Sequence, residues 1–396
     1  MKNILMPLLF LVLLIFTTAC EDTKKEGNTI EKGSEYANLE TALRSMELPD
    51  NFLIDFDPNE VQIVEAAKIH TTSFLEMDEK KVKKELIQGE IISTENNAHG
   101  LWIEAGDKEY KEYLTIYDGG EALGVDSGVN GGIYYSAVID WNKLSMVVST
   151  DPGFSDNNGE PYKEKNDYQS FVNLSFKNYS EALTEVEELL SSIGFPDLEI
   201  AEAYSLDLDT ILEHYNLYID SGNSVDEEYI DDEELWSVDD ESYLFFFRQT
   251  VDDIPLVNIN WQEGVRATGE ATETSISVIY SKEGMIISAD GLFNVLESGK
   301  KEPLISGTSA LKKLLDFYSG YILEEETKVF SMELCYVGIL RSDKNYELVP
   351  AWVFGIAKTS ERTDPENGTK DSYDSYSYYV INAITGERIR KASEEQ

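Results

Sequence analysis

Two cysteines, three histidines and ten prolines in 396 residues leave little of the material from which many active sites and stapled small folds are made. Cys20 lies in the leader-like start described below, so Cys335 is alone in the rest of the chain and no intramolecular disulfide can form there. Cys335 sits in the apolar stretch Val329 to Val337, where a small thiol reads as strand core and not as a reactive nucleophile. His70, His99 and His214 are far apart, and none stands in a His-Glu-x-x-His or comparable metal spacing; each reads as a surface or half-buried residue. A Gly-x-Ser-x-Gly elbow, a phosphate-binding glycine loop and a dinucleotide glycine pattern are missing too. No catalytic residue, metal ligand or cofactor is expected.

Positive charge is short: 32 Lys and Arg stand against 76 Asp and Glu, for a net charge of −44. Such a body repels nucleic-acid phosphates and anionic lipid headgroups, which argues against both as direct partners. With so many carboxylates, close acidic pairs arise by chance, and a glycosidase pair cannot be read from spacing. The dense run Asp226 to Glu234 lacks the alternating ligands and central Gly of a calcium loop and reads as a solvated insertion. Lys80, Lys81, Lys83 and Lys84 form one basic stripe, expected to be a solvated helix face.

No apolar run is long enough to span a bilayer. Ile4 to Phe16, interrupted by Pro7, falls short of the roughly 20 residues required. A basic Lys2, this short apolar centre and the small residues before Cys20 describe an export signal. Thr17-Thr18-Ala19-Cys20 resembles the lipobox of bacterial lipoproteins, with Thr17 where Leu is usual. In that family the Cys sulfur receives a diacylglycerol group and the Cys becomes the mature N-terminus. The resemblance implies lipidation at Cys20, contact with a membrane through that anchor, and a place on the extracytoplasmic face of a bacterial cell membrane.

What is present supports a folded body: 42% hydrophobic and 11% aromatic residues. The expected organisation is a signal over residues 1–20, a flexible polar tether over 21–45 and a mostly-β unit over 46–165. Two α+β units follow, over 168–300 and 301–396. In the first unit, Val61 to Val64 reads as a short strand and Phe74 to Ile87 as a helix. Gly100–Ala105, Tyr113–Tyr117, Ile133–Trp141 and Leu144–Ser149 read as strands, with a tight connection at Asn142-Lys143. The stretch Gly119 to Gly132 reads as a mobile surface loop, and Asp151 to Asp167 as a boundary. Beyond it, Tyr179 to Ile193 reads as a helix capped by Ser180 and ended by Gly194, followed by a strand over Glu199–Tyr204 and a helix from Asp207 to Tyr215.

A pattern then occurs twice. Tyr243 to Val251, a turn at Asp252-Asp253, a strand opened by Ile254-Pro255 and a strand Ser275 to Tyr280 close at Glu283-Gly284. Lys328 to Leu340, a turn near Asp343 to Asn345, a strand opened by Val349-Pro350 and a strand Tyr378 to Ala383 close at Thr385-Gly386-Glu387. A helix precedes each, the second over Ser309 to Tyr318. This arrangement resembles the PepSY and YycI-like modules of exported bacterial proteins, in which a helix packs on a curved antiparallel sheet. The whole resembles the large lipoproteins of Gram-positive bacteria. The implied fold class is α+β, with antiparallel sheets, helices on one face and two PepSY-like helix-plus-sheet repeats in the C-terminal half.

Tyr373, Tyr376, Tyr378 and Tyr379 fall in one strand and read as strand packing, against an aromatic platform for sugar or peptide. The expected function is a non-catalytic, lipid-anchored binding or regulatory module acting on another extracytoplasmic or membrane protein. A cell-wall glycan- or peptide-acting enzyme using carboxylates, and a ligand-capturing lipoprotein, are the alternatives.

Overall fold

Ser242–Val251 carries five consecutive apolar residues, Tyr243 to Phe247, and all five are fully buried. A strand apolar on both faces needs a layer against each, and this one (β9) sits inside a nine-stranded sheet. The structure is a computed structural model that describes residues 39–96, 100–106, 120–126, 132–137, 140–148, 168–223, 235–257, 271–272, 274–341, 345–363 and 370–389.

Among the described residues the nine-stranded sheet is antiparallel throughout. Its order is β10 (Ile254–Pro255), β9, β12 (Ser275–Ser281), β13 (Met285–Asp290), β7 (Gly132–Ser136), β6 (Glu121–Asp126), β5 (Gly100–Gly106) and β4 (Glu90–Asn96), with β8 (Leu198–Leu206) also on β9. Helix α4 (Tyr179–Ile193) lies on the face of Tyr243 and Phe245, where Tyr179 meets both rings at 5.9 Å. Helix α5 (Leu208–Asp220) reaches the opposite face, through His214 on Tyr168 and Tyr168 on Tyr204, which meets Phe246. The expectation of helices on one face is thus corrected: unbroken apolar sequence in β9 gives two faces to cover.

Among the described residues the second sheet has eight strands. Its path is β1 (Phe52–Ile54), β16 (Thr327–Leu340), β17 (Tyr346–Thr363), β18 (Lys370–Asn382) and β19 (Arg388–Ile389). Further strands join it: β11 (Ala271–Thr272) on β16, β3 (His70–Phe74) on β17, and β14 (Phe293–Ser298) on β3. Among the described strand pairs of this sheet, β1 on β16 is the parallel one. A small pair, β2 (Ala66–Ala67) with β15 (Glu302–Pro303), stands apart. Helix α6 (Gly307–Tyr318), capped by the Ser306 hydroxyl, buries Ala310, Leu311, Leu314 and Leu315 against Trp352, Phe354 and Ile356. Helix α1 (Leu39–Ser45) packs beside α6. The fold is α+β with mostly antiparallel sheets, and residues of the expected 46–165 unit supply strands to both.

Several local expectations are corrected. Val61 to Val64 forms no strand. Helix α2 spans Glu79–Leu86, because Asp78 accepts from the Lys80 and Lys81 N–H groups at 3.0 and 3.2 Å and fixes its start there. Leu144 to Val148 is not a strand: Asp140 caps a one-turn helix, α3 (Trp141–Leu144), and a turn follows in which Met146 to Val148 are buried. A short buried apolar run carries no periodicity to separate the two states. Ser180 is not the cap of α4; the Tyr179 N–H is taken by Asn173 Oδ1 at 2.9 Å. Pro350 does not open its strand but lies inside β17, where the partner on one edge changes from β3 to β18. There its carbonyl accepts from Ala383, and its missing N–H falls in the gap between partners.

Glu121 to Asp126, expected in a mobile loop, is a buried strand. The Glu121 carboxylate accepts from the N–H groups of Gln88 and Gly89 at 3.0 and 2.6 Å and from Tyr135 Oη at 3.2 Å. A Cβ at Gly132 would overlap the Ala289 carbonyl oxygen, so glycine here serves close strand packing. Tyr113–Tyr117, Gly119, residues 127–131, the 151–167 boundary, the acidic run 226–234, Asp343 and Lys344 lie outside the described residues.

Candidate functional site

β9 ends where the two sheets meet, and residues 248–257 carry several contacts across that junction. The Arg248 guanidinium donates to both oxygens of Glu333 on β16, at 2.7 and 2.9 Å, and to Glu199 on β8 at 2.7 Å. Gln249 is buried and makes a two-way clamp with β14: its amide donates to the Phe293 carbonyl at 2.7 Å and accepts the Phe293 N–H at 2.9 Å. Past the Asp252-Asp253 turn, both residues of which hold positive φ (50° and 63°), the Val257 N–H donates to the Tyr336 carbonyl of β16.

A further contact centres on His70 in β3, which is 1% exposed. Tyr336 Oη donates to the Lys68 carbonyl at 2.9 Å, so its oxygen is left to accept from His70 Nε2–H at 3.1 Å. That assigns the neutral ring to the Nε2–H tautomer and leaves Nδ1 to accept the Ser298 hydroxyl at 3.0 Å. Asp252 Oδ2 lies 3.6 Å from Nε2 and 2.7 Å from Lys68 Nζ. Burial pushes His70 below its ordinary value of 6.5, with Asp252 raising it and Lys68 lowering it by smaller amounts. The Lys68 hydrogen bond holds Asp252 below the usual carboxylate value. Burial lifts Tyr336 to about 12.

A serine hydroxyl on a histidine with an aspartate behind it is the chemistry of an activated nucleophile. Two features assign this cluster to structure instead. The Asp252 oxygen stands beyond hydrogen-bond distance of the ring, and the ring is closed in among β3, β14 and β16. The N–H next to Ser298, that of Gly299, is already given to the Ile69 carbonyl.

His70 and His214 are both buried, correcting the expectation of surface or half-buried histidines; His214 packs on Tyr168 at 4.6 Å. His99 lies outside the described residues. Cys335 is a buried strand thiol as expected, with Sγ 3.6 Å from Glu333 Oε2; burial and the Glu333 charge push it well above its ordinary value. Lys80, Lys81 and Lys84 are exposed on α2 and Lys83 is half-buried. Tyr379 is buried against Phe317 at 5.0 Å, and Phe330 packs edge-on against Tyr376 and Tyr378, as strand packing requires. The Tyr373 side chain and Cys20 are outside the described residues.

Among the described residues, no three His, Cys, Asp or Glu converge on a metal-holding point, and no helix is long and apolar enough to cross a membrane. A depression lined by Leu39, Val61, Ile63, Thr308 and Trp352 holds about 10 Å3, room for about one water. Sequence reasoning missed Arg248, Glu333, Asp252 and Ser298. Of these only Asp252 carried a signal, as half of an Asp-Asp turn.

No family profile matches the chain, and no curated protein matches it. Among solved structures it is similar to an uncharacterized protein from Eubacterium rectale ATCC 33656, with a TM-score of 0.57 and 16% identity over 87% of this chain and 92% of that one. At that identity the likeness is one of fold alone.

Proposed function

We propose that this protein is a lipid-anchored, extracytoplasmic binding or regulatory protein without catalytic activity, acting on another extracytoplasmic or membrane protein through its sheets and the loops that border them. The observation that carries the reading is Cys20 directly after a short apolar run and small residues. Two acyl chains on that cysteine give stable anchoring, where one gives only marginal binding. Between Cys20 and the first described residue, Leu39, lie residues 21–38. Those 18 residues reach about 60 Å when fully extended. The charge of −44 holds such a body off an anionic membrane and leaves it soluble.

The two helix-led sets of antiparallel strands, β9 with β12 and β13, and β16 with β17 and β18, are on this reading the PepSY-like repeats. Their role would be to present surface. One contact point is favoured: the loop after α6, where Ile322 is 94% exposed beside Tyr321 and precedes Glu324, Glu325 and Glu326. The loop is held at Asn51, whose side chain donates to the Leu323 carbonyl at 2.8 Å and whose own carbonyl accepts from Thr327. An apolar tip on a fixed loop, rimmed by carboxylates, suits a partner surface that is apolar with basic borders. Cross-linking in intact cells, followed by purification through this chain, tests the reading. Reproducible recovery of one extracytoplasmic protein is expected, and failure to recover any reproducible protein would count against it.

A further inference from the structure

The pairing of β18 with β17 runs unbroken from Asn382 opposite Ala351 to Lys370 opposite Thr363. On its other side β18 meets β19 at Val380 and Ile381, and among the described residues no strand pairs with 370–379 there. We propose that this edge is a docking edge: an extended segment of a partner protein adds to the second sheet as one more strand, beside residues 372–378. The proposal rests on the binding reading above and not on the anchor.

Two hydrogen bonds fix which backbone groups face outward. The Ala383 N–H donates to the Pro350 carbonyl of β17, and the Asn382 N–H donates the other way, to the Glu387 carbonyl, both at 2.8 Å. Directions alternate along an antiparallel strand. The N–H and C=O groups of Ser372, Asp374, Tyr376 and Tyr378 therefore point away from β17. Donors and acceptors repeating every second residue, about 7 Å apart, match the main chain of a further strand.

Outer strands are ordinarily blunted, because an open edge templates pairing with other chains. Three others in this protein show it. β4 carries a bulge between Ile91 and Ser93, β8 between Ile200 and Glu202, and β14 between Val295 and Glu297. On β14 the Gln249 amide also stands in for a strand, accepting the Phe293 N–H and donating to its carbonyl. Residues 372–378 of β18 carry no bulge, proline, glycine or lysine.

Charge and side chains decide the kind of partner. Two copies of a chain at −44 repel each other, which disfavours β18 pairing with its own copy. Asp374, Tyr376 and Tyr378 share one face, where Thr359 donates to the Asp374 carboxylate at 2.6 Å and Phe330 packs edge-on against both tyrosines. A segment with lysine or arginine opposite Asp374, and β-branched or aromatic residues opposite the tyrosines, completes favourable cross-strand pairs.

Residue-resolved hydrogen exchange of the purified full chain tests this. The probe is a peptide of alternating threonine and valine with one central lysine, and its control has every amide N-methylated at the same charge. Alone, the N–H groups of Ser372, Asp374, Tyr376 and Tyr378 should exchange at least about tenfold faster than those of Ser375 and Ser377, which face β17. Saturating peptide should slow the outward set by about tenfold or more, and the methylated control should not. Tyr376→Pro removes an outward N–H and no bond to β17, so it should abolish the slowing at the other three, and Tyr376→Thr should keep it.

Outward amides already protected in the isolated chain would overturn the proposal: protection at every concentration would mean an edge filled within the chain, and protection at high concentration alone an edge filled by a second copy. No slowing by the peptide would also overturn it. Equal slowing by the methylated control would reduce the contact to charge, a criterion that stands even if Tyr376→Pro fails to fold. Partner recovery from cells plays no part in the measurement, so a failed edge and a failed binding reading are separate outcomes.

Discussion

Arg248 on one sheet and Glu333 on the other are joined by two parallel hydrogen bonds, of 2.7 and 2.9 Å, and Glu199 takes a third from the same guanidinium. The partners differ in burial: the Arg248 side chain is 15% exposed, Glu333 48% and Glu199 38%. That asymmetry decides what each substitution costs. Arg248→Met leaves two carboxylates that water can reach, for a loss of about 1 kcal/mol. Glu199→Gln with Glu333→Gln strands a buried cation, for about 3 kcal/mol. Urea unfolding at pH 7 checks the order, and equal losses would contradict it.

The same pair has a pH signature distinct from that of His70. A histidine held below 6.5 contributes stability that is complete above 6.5 and is lost as pH falls from 6.5 towards the folded value. Burial alone would raise Glu333, but the Arg248 hydrogen bonds outweigh it and hold the carboxyl below 4.5. A depressed carboxylate contributes stability that is present above 4.5 and lost as pH falls through its folded value. Wild-type stability should therefore fall in two stages, one beginning near 6.5 and one below 4.5. In Arg248→Met the second stage should shrink and the first remain.

Cys335 should behave as an inert thiol. Its burial and the neighbouring Glu333 charge disfavour the thiolate, which is the reactive form. At pH 8 a disulfide-exchange reagent should modify it only after unfolding, at the global unfolding rate. Rapid modification of the native protein would contradict that burial.

Gly132 and Gly355 both lie where a side chain has no room, but their neighbours differ in kind. A Cβ at Gly132 meets the backbone of Ala289 and Asp290, whereas one at Gly355 meets the ends of the Ser331 and Phe330 side chains. Backbone cannot step aside and rotamers can, so Gly132→Ala should cost about 3 kcal/mol or more and Gly355→Ala about 1. Thermal unfolding of the two variants gives the comparison.

These costs concern contacts that the sequence exposes unevenly. Helix α4 is legible to the residue, because Leu183, Val186, Leu189 and Leu190 recur at helical spacing and Gly194 ends it with φ of 105°. The closing turn is also legible: the Asn382 side chain accepts from the N–H groups of Ile384 and Thr385, and Gly386 takes positive φ. β6 is not legible, since glycines that permit close strands look the same in sequence as glycines that permit motion. The junction is hidden for another reason. His70 meets Ser298 and Tyr336 across 228 and 266 residues, and no local pattern records a partner that far away.

Ile322 separates binding from stability. At 94% exposure it contributes almost nothing to the core, so Ile322→Asp should change stability by no more than about 0.5 kcal/mol. In cross-linked cells the same substitution should reduce partner recovery severalfold. Unchanged recovery would move the contact point elsewhere on the surface.

The proposed anchor at Cys20 bears most of the functional account, and labelled palmitate incorporation tests it most directly. Cells expressing the full chain should yield a labelled protein that partitions into detergent. Cys20→Ala should abolish the label and release the protein from the membrane fraction. Label that persists in Cys20→Ala, or a wild-type chain that never acquires it, would contradict the account.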